Sequence, residues 1–206
     1  MGISIKERLR NKSFDHVATK TKIAIGEIEI SNPNADKIKK TYNAMLDFMV
    51  KKPMQGGCHF YSVAMFILLR EQGVDCELLI GDVDDDSFHT SYCHSWVEID
   101  EKVYDLAIMF PRYMDGQPPV FAGIDLDTNE LPNRKYGISK ELHTNDKTGL
   151  AAYKLSVSEY LDGDPKGKNI LWEYIIKMGK HILRGKDVVE LREKYKDVKR
   201  SIKYLY

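Results

Sequence analysis

The 206 residues, 43% apolar and 30% charged, are enough for one soluble domain with a sizeable core. Lys plus Arg (31) balances Asp plus Glu (31), so no net field draws the chain to nucleic acid or an anionic membrane, and the longest apolar run, around residues 63–69, falls short of the roughly 18 residues of a membrane span. Three widely spaced cysteines without a CxxC exclude a disulfide framework and a structural zinc site, and fit a reducing cytoplasm as the expected location.

The opening MGISIKERLRNKSF lacks the apolar stretch and cleavage site of a secretory signal, and Lys6 stands where a myristoylation signal carries Ser or Thr. Residues 1–20 are polar and predict a loose arm or short helix. TKIAIGEIEI (21–30) alternates and is Ile-rich, which predicts a strand. SNPNAD (31–36) is turn chemistry. A helix follows to about Val50, with Ile38, Tyr42, Met45, Leu46 and Met49 on one side, ended by Lys51, Lys52 and Pro53. The next helix, about 58–72, opens on Cys58 and closes at Gly73. Residues 75–83 predict a strand, and DDDSFHTSY (84–92) an acidic connecting loop. CHSWVEID (93–100) and EKVYDLAI (101–108) predict a hairpin turning at about Asp100–Lys102. From Phe110 to Gly167 the pattern weakens, with a short element at 149–161. A helix at 169–183 and an amphipathic helix beyond Gly185 complete the chain, the latter with Val188, Leu191, Val198, Ile202 and Leu205 in a stripe. A single domain is expected: a core at about 22–110, an irregular segment 111–167 and C-terminal helices 168–206.

A cysteine at the head of a helix gains something that one in the middle does not. Unpaired N–H groups there carry about half a positive charge, which stabilises a thiolate, and the thiolate is the nucleophile. Gly56 and Gly57 let the backbone turn sharply beside Cys58. Such a nucleophile needs a base and a group to orient it. His94 begins one strand and Asp105 lies on the next. A hairpin turning at Asp100–Lys102 places His94 opposite about residue 108 and Asp105 opposite about 97, so a bulge or twist must bring the two together.

GGCHFYSVAMFILLREQGVDCELLIGDV followed by HSWVEIDEKVYDLA resembles the transglutaminase-like branch of the papain-type cysteine enzymes, in a prokaryotic-looking form of unknown substrate. In that superfamily a Gly-Cys opens a helix that ends near R-x-x-G-apolar. A strand follows, then H-small-W-V-E-apolar on a second strand and an Asp on a third. The matching residues are Gly57-Cys58, Arg70 to Val74, His94 to Glu98, and Asp105, within residues 54–107. The resemblance implies Cys58 as nucleophile, His94 as base and acid, and Asp105 as orienting carboxylate. It implies an α+β fold with the Cys58 helix packed on an antiparallel sheet. Tyr104 departs from the commoner Trp before the Asp, and Leu106 from the Pro that commonly follows it.

Other residues admit plainer readings. Gln55 is a candidate to supply an amide to an oxyanion hole, or is a turn residue. His59 adjoins the nucleophile but is expected to point elsewhere. Cys76 and Cys93 read as small strand residues, and Cys93 is expected to face away from His94. Asp84, Asp85, Asp86 and His89 lack the alternating spacing of a calcium loop and read as a solvated loop.

The expected function is a cysteine-dependent amide or peptide hydrolase, or acyl transferase, acting through a thioester on Cys58. The alternatives are an arylamine-type acetyltransferase using acyl-CoA and a non-catalytic interaction module that keeps the fold. No metal or organic cofactor is implied. The expected partners are a peptide or protein substrate and a second copy of the chain through the C-terminal helix, with no nucleic acid and no membrane.

Overall fold

The computed structural model of the chain describes residues 5–85, 91–112, 116–139, 142 and 146–204. The first element overturns an expectation. Residues 21–27 belong to a long helix, α1 (Ile5–Glu27), and not to a strand. Among its described side chains Ala18, Thr21 and Ile25 are buried, as is Ile28 just past its end, spaced three, four and three apart, while Ile23 is exposed. Helical packing against α2 thus overrides the β-propensity of the isoleucines, and residues 28–31 belong to neither helix nor strand.

Helix α2 (Ala35–Lys51) buries the expected face, Ile38, Tyr42, Met45, Leu46 and Met49. Helix α3 (Cys58–Arg70) is buried from His59 to Leu69. A helix apolar all round must lie inside the molecule, and α3 does, between α2, a later helix at 170–178 and the sheet.

The sheet runs in the order β3-β2-β1-β6 from β1 (Glu77–Asp85), β2 (Tyr92–Ile99), β3 (Lys102–Tyr104) and β6 (Arg134–Tyr136), all antiparallel. Two further short strands, β4 (Val120–Phe121) and β5 (Ile124–Asp125), form a separate hairpin. The sheet has two faces. Leu78, Val97 and Ile99 join α2 and α3 in the main core, whereas Leu79, Val83, Trp96 and Tyr136 form a second cluster. Because β3 pairs only with residues 97–99 of β2, the start of β2 is left for other parts of the chain to meet.

The expected acidic loop begins later than the sequence suggests. Asp84 and Asp85 lie on β1 opposite Lys135 and Arg134, and Asp85 pairs with Arg134 instead of facing solvent. Asp86 and His89 fall outside the described residues.

Residues 149–161 resolve into α4 (Lys147–Lys154) and α5 (Val157–Asp162). They are split at extended Leu155, after which Ser156 and Glu159 close a capping box. Helix α6 (Ile170–Met178) follows. The C-terminal helix is much shorter than its stripe suggests. Helix α7 spans only Val188–Lys194, and residues 201–202 form β7 (Ser201–Ile202), parallel to β1. Leu191 is buried, Val188 and Val198 pack on the main core, and Ile202 packs beside Ile80. The described part of the apolar stripe therefore packs within the chain, and Leu205 lies outside the described residues.

Candidate active site

The two glycines before Cys58 have distinct jobs. Gly56 adopts φ +67°, a conformation that costs other residues strain, and its N–H donates to Phe110 O at 2.8 Å. A Cβ on Gly57 would sit 3.1 Å from both Met54 O and the Tyr61 ring. Phe60 and Tyr61 N–H both bond to Gly57 O, which starts α3. The N–H groups of Cys58 and His59 meet no backbone carbonyl among the described residues, as expected for the first turn of a helix. Cys58 is half-buried at this end.

His94 and Asp105 meet without a bulge. Tyr104 faces Val97 across the hairpin, so one further step puts Asp105 opposite Trp96, diagonally from His94 on the same face. Diagonal neighbours lie within reach of long side chains. The ring closes the gap, with His94 Nε2 2.8 Å from Asp105 Oδ2. Both groups are buried, at 4% and 2% exposure. Asp105 is held from several sides. Ala107 N–H donates to Oδ1 (3.0 Å) and the Tyr136 hydroxyl to Oδ2 (2.9 Å). Its backbone pairs with Val120, whose carbonyl also accepts from the Tyr42 hydroxyl at 2.6 Å.

Nε2 is committed to Asp105, which leaves Nδ1 as the free ring nitrogen of His94 in the cleft that Cys58 also lines. Burial pushes the Cys58 thiol up, but the charges and hydrogen bonds of His59 and His94 more than offset this and hold it well below the ordinary thiol value of 9.0. Burial likewise disfavours a charged His94. The carboxylate of Asp105 and the sulfur overcome it and push the imidazole up to about 10. Burial raises Asp105 too, and the His94 charge with the bonds from His94 and Tyr136 brings it below the usual carboxylate range. The thiol is shifted down and the imidazole up, the directions that favour a thiolate beside an imidazolium.

His59, expected to point elsewhere, lines the same cleft as Cys58 and holds Ser95 Oγ through Nδ1 at 2.7 Å. Cys93 lies on the opposite strand face from His94 yet also lines the cleft, with its thiol pushed up by burial. Cys76 is buried just before β1, in the main core, and is not among the residues lining the cleft. Gln55 is exposed in the turn before α3 and is not among the residues lining the cleft. The cleft above the thiol holds about 240 Å³, between apolar Ile108, Phe110 and Pro111 and polar Arg112, Gln117, Asp146 and Thr148.

Tyr136 and its neighbour Arg134 went unforeseen. They lie on a strand of three residues, Arg134–Tyr136, buried at both ends and exposed between. Three residues are too few for periodicity to register. Arg134 Nε donates to Asp85 Oδ2 at 3.2 Å, so the end of β1 and the back of the site share a charge network.

A family described as the transglutaminase-like superfamily matches residues 5–113. The chain belongs to the transglutaminase-like superfamily. No curated protein and no solved structure matches it. The superfamily match covers the helices and strands that carry Cys58, His94 and Asp105, and it begins in α1, earlier than the core at about 22–110 that the sequence suggests. Members of this superfamily are in general cysteine-dependent hydrolases or acyltransferases. The match ends before Tyr136, α4 and the C-terminal strand.

Proposed function

We propose that the protein is a cysteine-dependent amide or peptide hydrolase acting through a thioester on Cys58, with His94 as base and acid and Asp105 as its orienting carboxylate. The observation that carries this reading is the chain of contacts from Asp105 Oδ2 through His94 to the Cys58 sulfur at the unpaired head of α3. The thiolate attacks an acyl carbonyl, and the new oxyanion faces the N–H groups of the first turn of α3. The imidazolium gives its proton to the leaving amine, the C–N bond breaks, and a thioester remains. Water then loses a proton to His94 and attacks the thioester. The C–S bond breaks, the acid leaves, and the thiolate–imidazolium pair returns. The Asp105 carboxylate stays ionised and holds the ring in place. An amine in place of water would turn the same cycle into acyl transfer.

The test is iodoacetamide labelling of Cys58, read by mass spectrometry across pH. Fast labelling at pH 6 is expected, where less than about 1% of an ordinary thiol is ionised. Labelling no faster than a free thiol, and unchanged by His94→Ala, would overturn the reading. Peptide-amide substrates in mixed water and amine then separate hydrolysis from transfer.

A further inference from the structure

Only one imidazole is needed for the cycle above, yet two flank the sulfur. His59 is 4% exposed, directly follows the nucleophile in sequence, and lines the substrate cleft together with Cys58 and His94. It has no carboxylate to make it a second His–Asp pair. Its ring is fixed by a neutral hydroxyl instead, Nδ1 lying 2.7 Å from Ser95 Oγ. Ser95 lies next to His94 on β2 but on the opposite face, the one turned toward α3, so a single strand fixes both rings through consecutive residues.

A hydroxyl that donates to Nδ1 leaves the neutral ring protonated on Nε2. With Nδ1 engaged, Nε2 is the nitrogen left for the sulfur. The nitrogens left over on the two rings therefore differ, Nδ1 on His94 and Nε2 on His59. In the proposed cycle His94 gives up a proton in the first half and takes one in the second, whereas a ring fixed through Nδ1 has a constant N–H to offer.

The surroundings keep His59 in place. Tyr160 stands edge-on to its ring at a centroid distance of 6.5 Å. Arg200, itself buried, lies over Tyr160 at 4.6 Å and donates from Nη2 to the His59 carbonyl at 2.7 Å. Its Nη1 donates to Ala152 O, also at 2.7 Å. This scaffold comes from α4, α5 and the segment before β7, all beyond the stretch that matches the superfamily.

We propose that His59 is a second catalytic imidazole, a hydrogen-bond donor to the Cys58 sulfur whose tautomer is set by the Ser95 hydroxyl. The proposal rests on Cys58 being the nucleophile. It predicts that part of the thiolate's stability survives loss of His94 and depends on His59.

The experiment is the pH dependence of iodoacetamide labelling of Cys58 in the wild type, His59→Phe and Ser95→Ala, with melting curves to confirm folding. His59→Phe keeps a ring in the site and removes both nitrogens. Ser95→Ala keeps both rings and frees the tautomer. Labelling of His59→Phe at pH 6 is expected to fall about tenfold, as its acid limb moves up by about one pH unit. Ser95→Ala should move the limb in the same direction by less. A folded His59→Phe with the wild-type profile overturns the proposal. If His59→Phe does not fold, Ser95→Ala decides alone, and an unmoved limb overturns it. A wild type that labels like an ordinary thiol sinks the nucleophile reading itself, and is told apart because it needs no variant.

Discussion

Between Cys58 and Asp105 a single run of 48 residues supplies the proposed nucleophile, base and carboxylate from one long helix and a hairpin. Between Tyr136 and Arg200 the chain contributes to the same site in another manner, through single side chains on short elements. Tyr136 bonds Asp105 from a three-residue strand, Asp146 caps α4 at the cleft, and Arg200 grips the first turn of α3. In the proposed cycle the first region holds the groups that exchange protons and form bonds, and the second fixes where those groups stand. Chemistry in this protein is concentrated in sequence, and its support is spread out.

That division can be broken or sharpened by substitution. The largest effect belongs to Cys58→Ala, which is expected to abolish labelling and turnover while leaving the melting temperature near wild type, as measured by mass spectrometry and calorimetry. His94→Ala and Asp105→Asn come next, with turnover of a peptide-amide substrate expected to fall by about 10² to 10⁴-fold. On the supporting side, Arg200→Met takes the guanidinium donor from the Ala152 carbonyl and from the His59 carbonyl, which keeps Ser62 Oγ, and should cost about 1–3 kcal/mol in urea unfolding. Tyr136→Phe removes one of three hydrogen bonds to the Asp105 carboxylate and should slow turnover by only about tenfold, near 1.4 kcal/mol in barrier. If Tyr136→Phe proved as damaging as Asp105→Asn, the distinction between reacting and supporting regions would collapse.

The acid–base pair gives a further expectation, in stability versus pH. Cys58 is depressed below its unfolded value, 9.0, and His94 raised above its own, 6.5. Where folded Cys58 is already ionised and the pH is still below 6.5, the unfolded chain binds one proton more at this pair than the folded one, so the stability due to the pair rises with pH. Between 6.5 and 9.0 the extra proton on folded His94 cancels the one on the unfolded thiol, and the contribution is level. Above 9.0 the folded chain binds one more, and the contribution falls as pH climbs through about 10. The difference in melting temperature between the wild type and the Cys58→Ala, His94→Ala double variant should trace that plateau. A difference that climbs steadily from pH 6 to 9 would mean that the two groups do not form an ion pair.

The two regions also differ in how legible they are in sequence. The faces of α2 and α3 and the hairpin could be read because each spans several turns or strand pairs, enough for a period to repeat. The meeting of His94 and Asp105 did not follow from facing positions, because the two are diagonal neighbours and side-chain length closes the gap. Residues 21–27 misled because Ile-rich alternation and helical spacing coexist in them, and only the partner helix α2 decides between the two. The stripe after Gly185 misled in the reverse sense, since its apolar residues are buried by a short helix, a turn and a strand instead of one long helix. Tyr136, Arg134 and Arg200 gave no signal because each acts alone, and a lone polar residue reveals its partner only once the backbone is placed. His59 was judged from its neighbour in sequence. Ser95, which fixes it, lies 36 residues away.

The grip of Arg200 on the first turn of α3 spans 141 residues of chain. While the polypeptide is still emerging from the ribosome, the thiol, both imidazoles and the carboxylate are all made well before that guanidinium exists. Synthesis therefore yields a complete set of reactive groups early and the fastening that steadies them late. Ribosome-stalled chains halted on either side of residue 200 should differ in how readily Cys58 alkylates at pH 6.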